Sequence, residues 1–384
     1  MQEAHLELGE RIEVRRSQRD GPLDREMRVV EPDLARQRVA ARSRPERRLG
    51  TDGGVERLAG ASTSRAAGFG HGLPFPTVDR RQGYPPSTPS AVVGDGSVAM
   101  PAPSTAAAIS VALLDWYALR ARSLPIRAAG DPWAILVAEV MSQQTQIARV
   151  GAHWVRFMAA YPTPASLAEA PLREVILAWA GLGYNRRAVA LRDAARAILE
   201  RHAGRVPSTV AELDALPGVG PYTARAVAAL AFGVPVAAVD VNVRRLAERL
   251  AGATLSPTAA QAAADGLVDR ERPGDWIHAA MDLAATVCRR RAPACDECPL
   301  TAWCASRGTP GEQARPRSPA TPFPETRRWL RGRLLAEIAR GGDGWMTVEG
   351  PRGEHDGAAV REALAGLEAD GLVVTDGASR VRIG

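Results

Sequence analysis

The sequence predicts an all-α fold. A two-lobed helical body spans about residues 110–304, and a small winged-helix-like module follows it. Three observations carry this reading. Apolar residues recur at helical spacing once the body begins, as at positions 136, 137, 140, 141 and 147. Glycine or proline punctuates most boundaries between the helical segments. Strand patterning is nearly absent until residues 372–383, an alternating run that turns at Asp376-Gly377. Two packed helical lobes make the cleft between them the default site.

Residues 1–109 hold no sustained helical or strand period and no tryptophan, and are rich in Arg, Gly, Ser, Pro and Ala. They read as a disordered extension, or as the product of an upstream start codon, since Met100 precedes the body. A first helix opens near Val111 with Leu114 and Trp116 among its apolar residues. After the turn Gly130-Asp131-Pro132 a second is expected over 133–150. Further helices fall at about 151–160, 165–169, 171–180, 186–201, 209–215, 221–232, 240–251, 257–269 and 274–287. A cysteine-rich loop over 288–304 closes the body, and a Pro/Arg/Ser/Thr-rich linker occupies 305–324. Residues 325–384 then read as two helices, 325–340 and 356–370, and the hairpin. Such a module either touches nucleic acid or packs against its host.

The chain has 384 residues and a formal net charge of +6, a mild excess that permits a nucleic-acid partner. All 49 basic residues are arginine, so no lysine is available to form a Schiff base. No apolar run approaches the ~18 residues of a membrane span, and nothing resembles a signal peptide. The four cysteines cluster within 288–304, which in an intracellular chain favours a metal site over disulfides. The expectation is a monomeric bacterial protein of the cytoplasm, associated with the nucleoid and not with membranes.

Three constellations carry chemistry. In Leu216-Pro-Gly-Val-Gly220, Gly218 and Gly220 allow close backbone approach, and the helix that follows directs free N–H groups at an anion. The bland alternative is an ordinary helix–turn–helix corner. Glu139 sits between apolar neighbours on a helix that must be partly buried, which raises a carboxyl pKa and suits a general acid. Gln143, Gln144, Thr145 and Gln146 follow in the next turn, neutral donors and acceptors suited to base edges. Finally, Cys288-x6-Cys295-x2-Cys298-x5-Cys304 can wrap one metal centre, zinc or an iron–sulfur cluster. Arg289, Arg290 and Arg291 lie in its first loop, either facing phosphate or simply solvated.

These motifs resemble the helix-hairpin-helix DNA glycosylases of the endonuclease III superfamily, and within it the adenine DNA glycosylases of the MutY type. The resemblance covers about 110–304, with the hairpin at about 209–232. It rests on Glu139-Val-Met-Ser-Gln-Gln-Thr-Gln, Gly181-Leu-Gly-Tyr184, Leu216-Pro-Gly-Val-Gly and Val239-Asp240-Val-Asn242, in that order, and on the cysteine spacing. It implies removal of adenine mispaired with 8-oxoguanine or guanine in double-stranded DNA, and a [4Fe-4S] cluster on the four cysteines. Glu139 would protonate adenine N7 and Asp240 would stabilise the oxocarbenium ion, with Tyr222 and Asn242 in support. Arg127 would face the flipped adenine, Gln143 and Tyr184 would wedge into the duplex, and Thr145 would contact the opposite base. Bifunctional relatives place a lysine where this chain has Tyr222, so the resemblance implies a monofunctional enzyme. The sequence departs from the pattern at Ser142, Ile126 and His278, and nothing after 305 resembles the Nudix-like domain of many relatives. A thymine or other mismatch glycosylase, or a non-catalytic iron–sulfur DNA-binding protein, are the competing readings.

Overall fold

The computed structural model describes residues 102–309, 320–377 and 380–384. The expectation for most of 1–109, the middle of the linker and the residues just past Gly377 lies outside them. Helix α1 (Pro103–Arg120) begins about two turns before the change of composition at Ser110, and buries Ala106 and Ile109 on those turns. The helical body continues with α2 (Pro132–Ser142), α3 (Ile147–Ala160), α4 (Pro164–Glu169), α5 (Leu172–Trp179) and α6 (Arg186–His202). It is completed by α7 (Val210–Asp214), α8 (Pro221–Phe232), α9 (Val241–Ala251), α10 (Pro257–Asp265) and α11 (Pro273–Thr286). The local signals explain the boundaries. Proline stands in the first turn of α1, α2, α4, α8, α10 and α11, where its missing N–H has no intrahelical partner to lose. Gly233 and Gly252 close α8 and α9 in the left-handed conformation.

Besides the early start of α1, the helix expected over 257–269 ends at Asp265, and one expected helix is interrupted. The helix anticipated over 133–150 breaks at 143–146, with no glycine or proline there to announce it. Gln144 takes φ +54°, so the Gln-Gln-Thr-Gln run forms a loop instead of another helical turn. Its geometry is imposed by distant groups.

Two large apolar cores and a small cluster of Ala247, Leu255 and Ala260 hold the described residues of the body. One gathers Trp133, Leu136, Met141, Phe157, Trp179 and Leu191 from α2 to α6. The other gathers Leu113, Leu246, Trp276, Ile277 and Leu283 from α1, α9 and α11, and reaches Cys288 and Leu300 in the cysteine loop. Helix α8 stands between them. Ala224, Val227 and Ala228 face the first core, whereas Ala226 and Ala229 face the second. Small residues on both faces let both lobes approach one helix, and enlarging one of them would overpack by about 1–3 kcal/mol. No helix among the described residues is long and apolar enough to cross a membrane.

Beyond the linker come α12 (Arg327–Arg340), strand β1 (Met346–Thr347), α13 (Gly357–Ala369), β2 (Val373–Thr375) and β3 (Arg380–Ile383). The hairpin pairs Val373 with Ile383 and Thr375 with Val381, and β1 adds to the far side of β3, giving the order β1-β3-β2. At two residues, β1 is too short to show alternation in sequence. Leu330, Leu334, Leu335, Ile338 and Leu367 of this module belong to the same continuous core as α2–α6.

Candidate active site

A cavity of about 320 Å³ opens between the lobes, lined among others by Arg127, Ile135, Glu139, Ser142, Tyr222, His278 and Met281. Three helices aim the ionisable groups. Asp131 caps α2 by accepting from the Ala134 N–H at 2.9 Å, and this places Glu139 on the turn facing the cavity. Burial pushes its carboxyl up to about 7, and the nearby Asp240 carboxylate pushes in the same direction. Asp240 is the N-cap of α9. Its Oδ1 accepts from the backbone N–H groups of Asn242 and Val243, both at 2.8 Å, and its Oδ2 accepts from Asn242 Nδ2 at 2.7 Å. Tyr222, on the first turn of α8, is held far above the ordinary phenol range by burial and by the Glu139 and Asp240 charges, so it stays neutral. Its hydroxyl lies 3.8 Å from Met281 Sδ.

Arg127 reaches the cavity from a short 3-10 turn, Pro125–Ala128. It is held by a residue that sequence reasoning missed. Asp282 is fully buried on α11 and accepts a two-pronged pair from Arg127, Nη2 to Oδ1 at 2.6 Å and Nη1 to Oδ2 at 2.8 Å. Arg122 adds its Nε at 2.6 Å and its backbone N–H at 3.0 Å. A buried carboxylate with these donors fixes the guanidinium plane; removing the acid would strand Arg127 beside an apolar wall. His278 lies on the same wall. Burial, then the Arg127 charge, lowers its pKa to about 4, so the imidazole is neutral at ordinary pH. No sequence pattern marks a contact between residues 155 positions apart.

The polar loop at 143–146 is built by a second missed residue. Arg187 donates to the carbonyls of Val140, Met141 and Gln143 at 3.0, 2.8 and 2.6 Å, to Thr145 Oγ1 at 3.0 Å, and to the Gly183 carbonyl at 3.0 Å. One guanidinium therefore ties the end of α2 to the Gly-Leu-Gly-Tyr184 turn. Gln143 points inward, its amide donating to the Gly218 carbonyl and to Thr223 Oγ1, both at 3.2 Å. Gln144 is the exposed one. Gln144 and Tyr184 both hold left-handed backbone, φ +54° and +49°, and the Tyr184 side chain is 42% exposed. Two such non-glycine residues cost on the order of 1–3 kcal/mol each.

The two hairpin glycines differ. Gly218 takes φ +73°, and a Cβ there would sit 2.6 Å from Ala190 Cβ, so both backbone and space demand glycine. Gly220 has φ −107° and open space in front of it, at the N-terminus of α8. Its lack of a side chain leaves room for an approaching partner instead of relieving strain.

Cys288 is buried and Cys295, Cys298 and Cys304 half-buried, all four as free thiols. Burial pushes the Cys298 thiol up to about 11, and Cys288, Cys304 and Cys295 are near enough to add to it. Among the described residues no three His, Cys, Asp or Glu groups converge on a point that would hold a metal. The donor set, four soft sulfurs around one loop, nonetheless matches the ligand count of an iron–sulfur cluster. Arg249 donates to Cys288 Sγ at 3.2 Å, and Arg245 ties the Cys288 carbonyl at 3.1 Å to Asn242 Oδ1 at 3.2 Å.

The HhH-GPD superfamily base excision DNA repair protein profile matches residues 137–268. An adenine DNA glycosylase of Mycobacterium tuberculosis is 41% identical over 276 residues, covering 68% of this chain and 88% of that protein. The adenine DNA glycosylase of Homo sapiens is 40% identical over 210 residues, 51% of this chain and 38% of that protein. A solved thermostable thymine-DNA glycosylase is 30% identical, covers 51% of this chain and 93% of that one, and superposes with a TM-score of 0.49.

Proposed function

Because the chain belongs to the MutY-type adenine DNA glycosylases of the HhH-GPD superfamily and is a base-excision-repair glycosylase, we propose that it removes adenine opposite 8-oxoguanine or guanine from duplex DNA by simple hydrolysis. The observation that carries this is the pairing of a carboxyl on the cavity wall, raised to about 7, with a second carboxylate near enough to act on it and held by three N–H donors. The base must leave the stack to reach them. Glu139 then gives its proton to adenine N7, the C1′–N9 bond breaks with its electrons to the base, and Asp240 offsets the positive charge on the sugar. Water adds to C1′, and the Glu139 carboxylate takes up its proton. Arg127, fixed by Asp282, orients the base in the cavity. Tyr222 stands where a lyase would need an amine, and the chain has no lysine, which supports hydrolysis without strand cleavage.

Gln144 and Tyr184 are the exposed pair on the strained edge, and we assign them to the duplex. Gln143 instead braces the hairpin and Thr145 is held by Arg187. The α8 N-terminus with Gly218 and Gly220 grips phosphate. Cys288, Cys295, Cys298 and Cys304 would hold a [4Fe-4S] cluster; purified protein is expected to be brown, with about four irons per chain. The deciding experiment is excision from duplexes bearing A opposite 8-oxoguanine, guanine and cytosine, with T opposite G as comparison. Release of adenine from the first two without strand nicking is expected. Release of thymine, or no release, overturns the reading.

A further inference from the structure

A groove of about 1120 Å³ runs between the body and the C-terminal module, beginning where the cavity ends. Ser142 lines the cavity, whereas Gln143 and Gln144 line the groove together with Tyr184. Its far wall is α12. Asp370 is the one acidic residue among the lining residues, and it is already engaged, by Arg186 at 3.3 Å and by Arg331. Arg187 is committed to the backbone carbonyls described above. That leaves Arg149, Arg328, Arg333 and Arg340, exposed and with no carboxylate at salt-bridge distance among the described residues; Glu337, near Arg333, is already paired with Arg352. Arg328 lies over the Tyr184 ring at 4.3 Å and donates to its hydroxyl at 3.4 Å. Here the module touches the residue assigned to the duplex.

The rest of the module argues by contrast. In a winged helix the second helix ordinarily enters the major groove. Here the outer face of α13 shows Arg361, Glu362 and Glu368, with Glu362 paired to Arg327, and carries no cationic surplus. The positive face belongs to α12, turned toward the groove.

We propose that this groove is a DNA-backbone channel: α12 supplies Arg328, Arg333 and Arg340, with Arg149 opposite, to the phosphates of the duplex beside the flipped base. The inference rests on Gln144 and Tyr184 being duplex contacts. It makes the module a clamp that works from its first helix, built without a Nudix-like domain. Each neutralised phosphate contributes about 0.9 to the slope of log K against log salt.

The test uses full-length chain carrying Glu139→Gln so that binding is read without turnover, on an A:8-oxoguanine duplex between 50 and 300 mM salt. The triple change Arg328→Gln, Arg333→Gln, Arg340→Gln should lower the salt slope by about 2–3 and weaken binding more than tenfold near physiological salt. Lysine at the same positions should restore the slope. Arg361→Gln, on the outer face of α13, should leave it unchanged. Ethylation of phosphates that the parent contacts through α12 should interfere with its binding but not with that of the triple variant. An unchanged slope in the triple variant, or a slope that falls with Arg361→Gln instead, overturns the proposal. Excision by the otherwise unaltered chain is assayed in parallel. If adenine is not released yet the slope falls, the catalytic reading fails and the channel stands. If adenine is released and the slope holds, the channel alone fails.

Discussion

The interior of α2 and the start of α9 each carry one carboxyl group, close enough to act on each other, and the two are treated in opposite ways. Glu139 is enclosed by apolar helix and faces a second negative charge, so its proton is retained to about pH 7. Asp240 caps a helix and has both oxygens occupied by N–H donors. Two groups of one chemical type are set apart by what surrounds them, apolar helix around one and N–H donors around the other. The lesson is that helix ends and helix middles are different solvents for a charge.

Removing either group breaks the contrast outright. Glu139→Gln and Asp240→Asn are each expected to slow single-turnover adenine release by about 10³-fold or more, the range of a lost general acid or charge partner. Mismatch binding by Glu139→Gln should be retained in a gel-shift or anisotropy titration. Asn242→Ala tests the α9 side more finely. It deletes one side-chain donor to Asp240 and leaves two backbone donors, so a loss of roughly 10–100-fold is expected from one hydrogen bond to a charged group. Equal losses for Asn242→Ala and Asp240→Asn would mean the side-chain amide, not helix capping, fixes the anion.

The pH profile sharpens the α2 side. With Glu139 as the acid, the single-turnover rate should be level below pH 7 and fall about tenfold by pH 8. The same carboxyl affects stability with a definite sign. Its folded pKa of about 7 lies above the ordinary 4.5, so the folded chain binds the extra proton between those values. Wild-type stability therefore falls as pH rises through that window. Glu139→Gln, which has nothing to titrate there, should match wild type near pH 4 and exceed it by about 3 kcal/mol at pH 8 in denaturant melts. A difference independent of pH would show that Glu139 sits in water.

Much of this was legible in the sequence, and what was not has a common cause. Proline in first helical turns, glycine at the ends of α8 and α9, and the spacing around Glu139 and Asp240 are local signals, and the structure realises them within a residue or two. The break at 143–146 was not legible, because Arg187 creates it from more than forty positions away by drawing the carbonyls of Val140, Met141 and Gln143 onto one guanidinium. Asp282 was hidden for the same reason: nothing near it in sequence needs an acid, and its arginines arrive from before α2. Gln143 and Gln144 are neighbours of one type, and only the backbone decides that one turns in and the other out.

The shared core of α12 with α2–α6 has a consequence for how the chain is held together. Leu330, Leu334, Leu335 and Ile338 are buried within one continuous apolar cluster that begins at Trp133. Arg173 Nε donates to the Ala339 carbonyl at 2.7 Å, across the same seam. The peptide linker is then a tether that sets a high effective concentration, not the bond that seats the module. A chain nicked between Thr309 and Pro319 should elute as one particle, and the two fragments, made separately, should find each other.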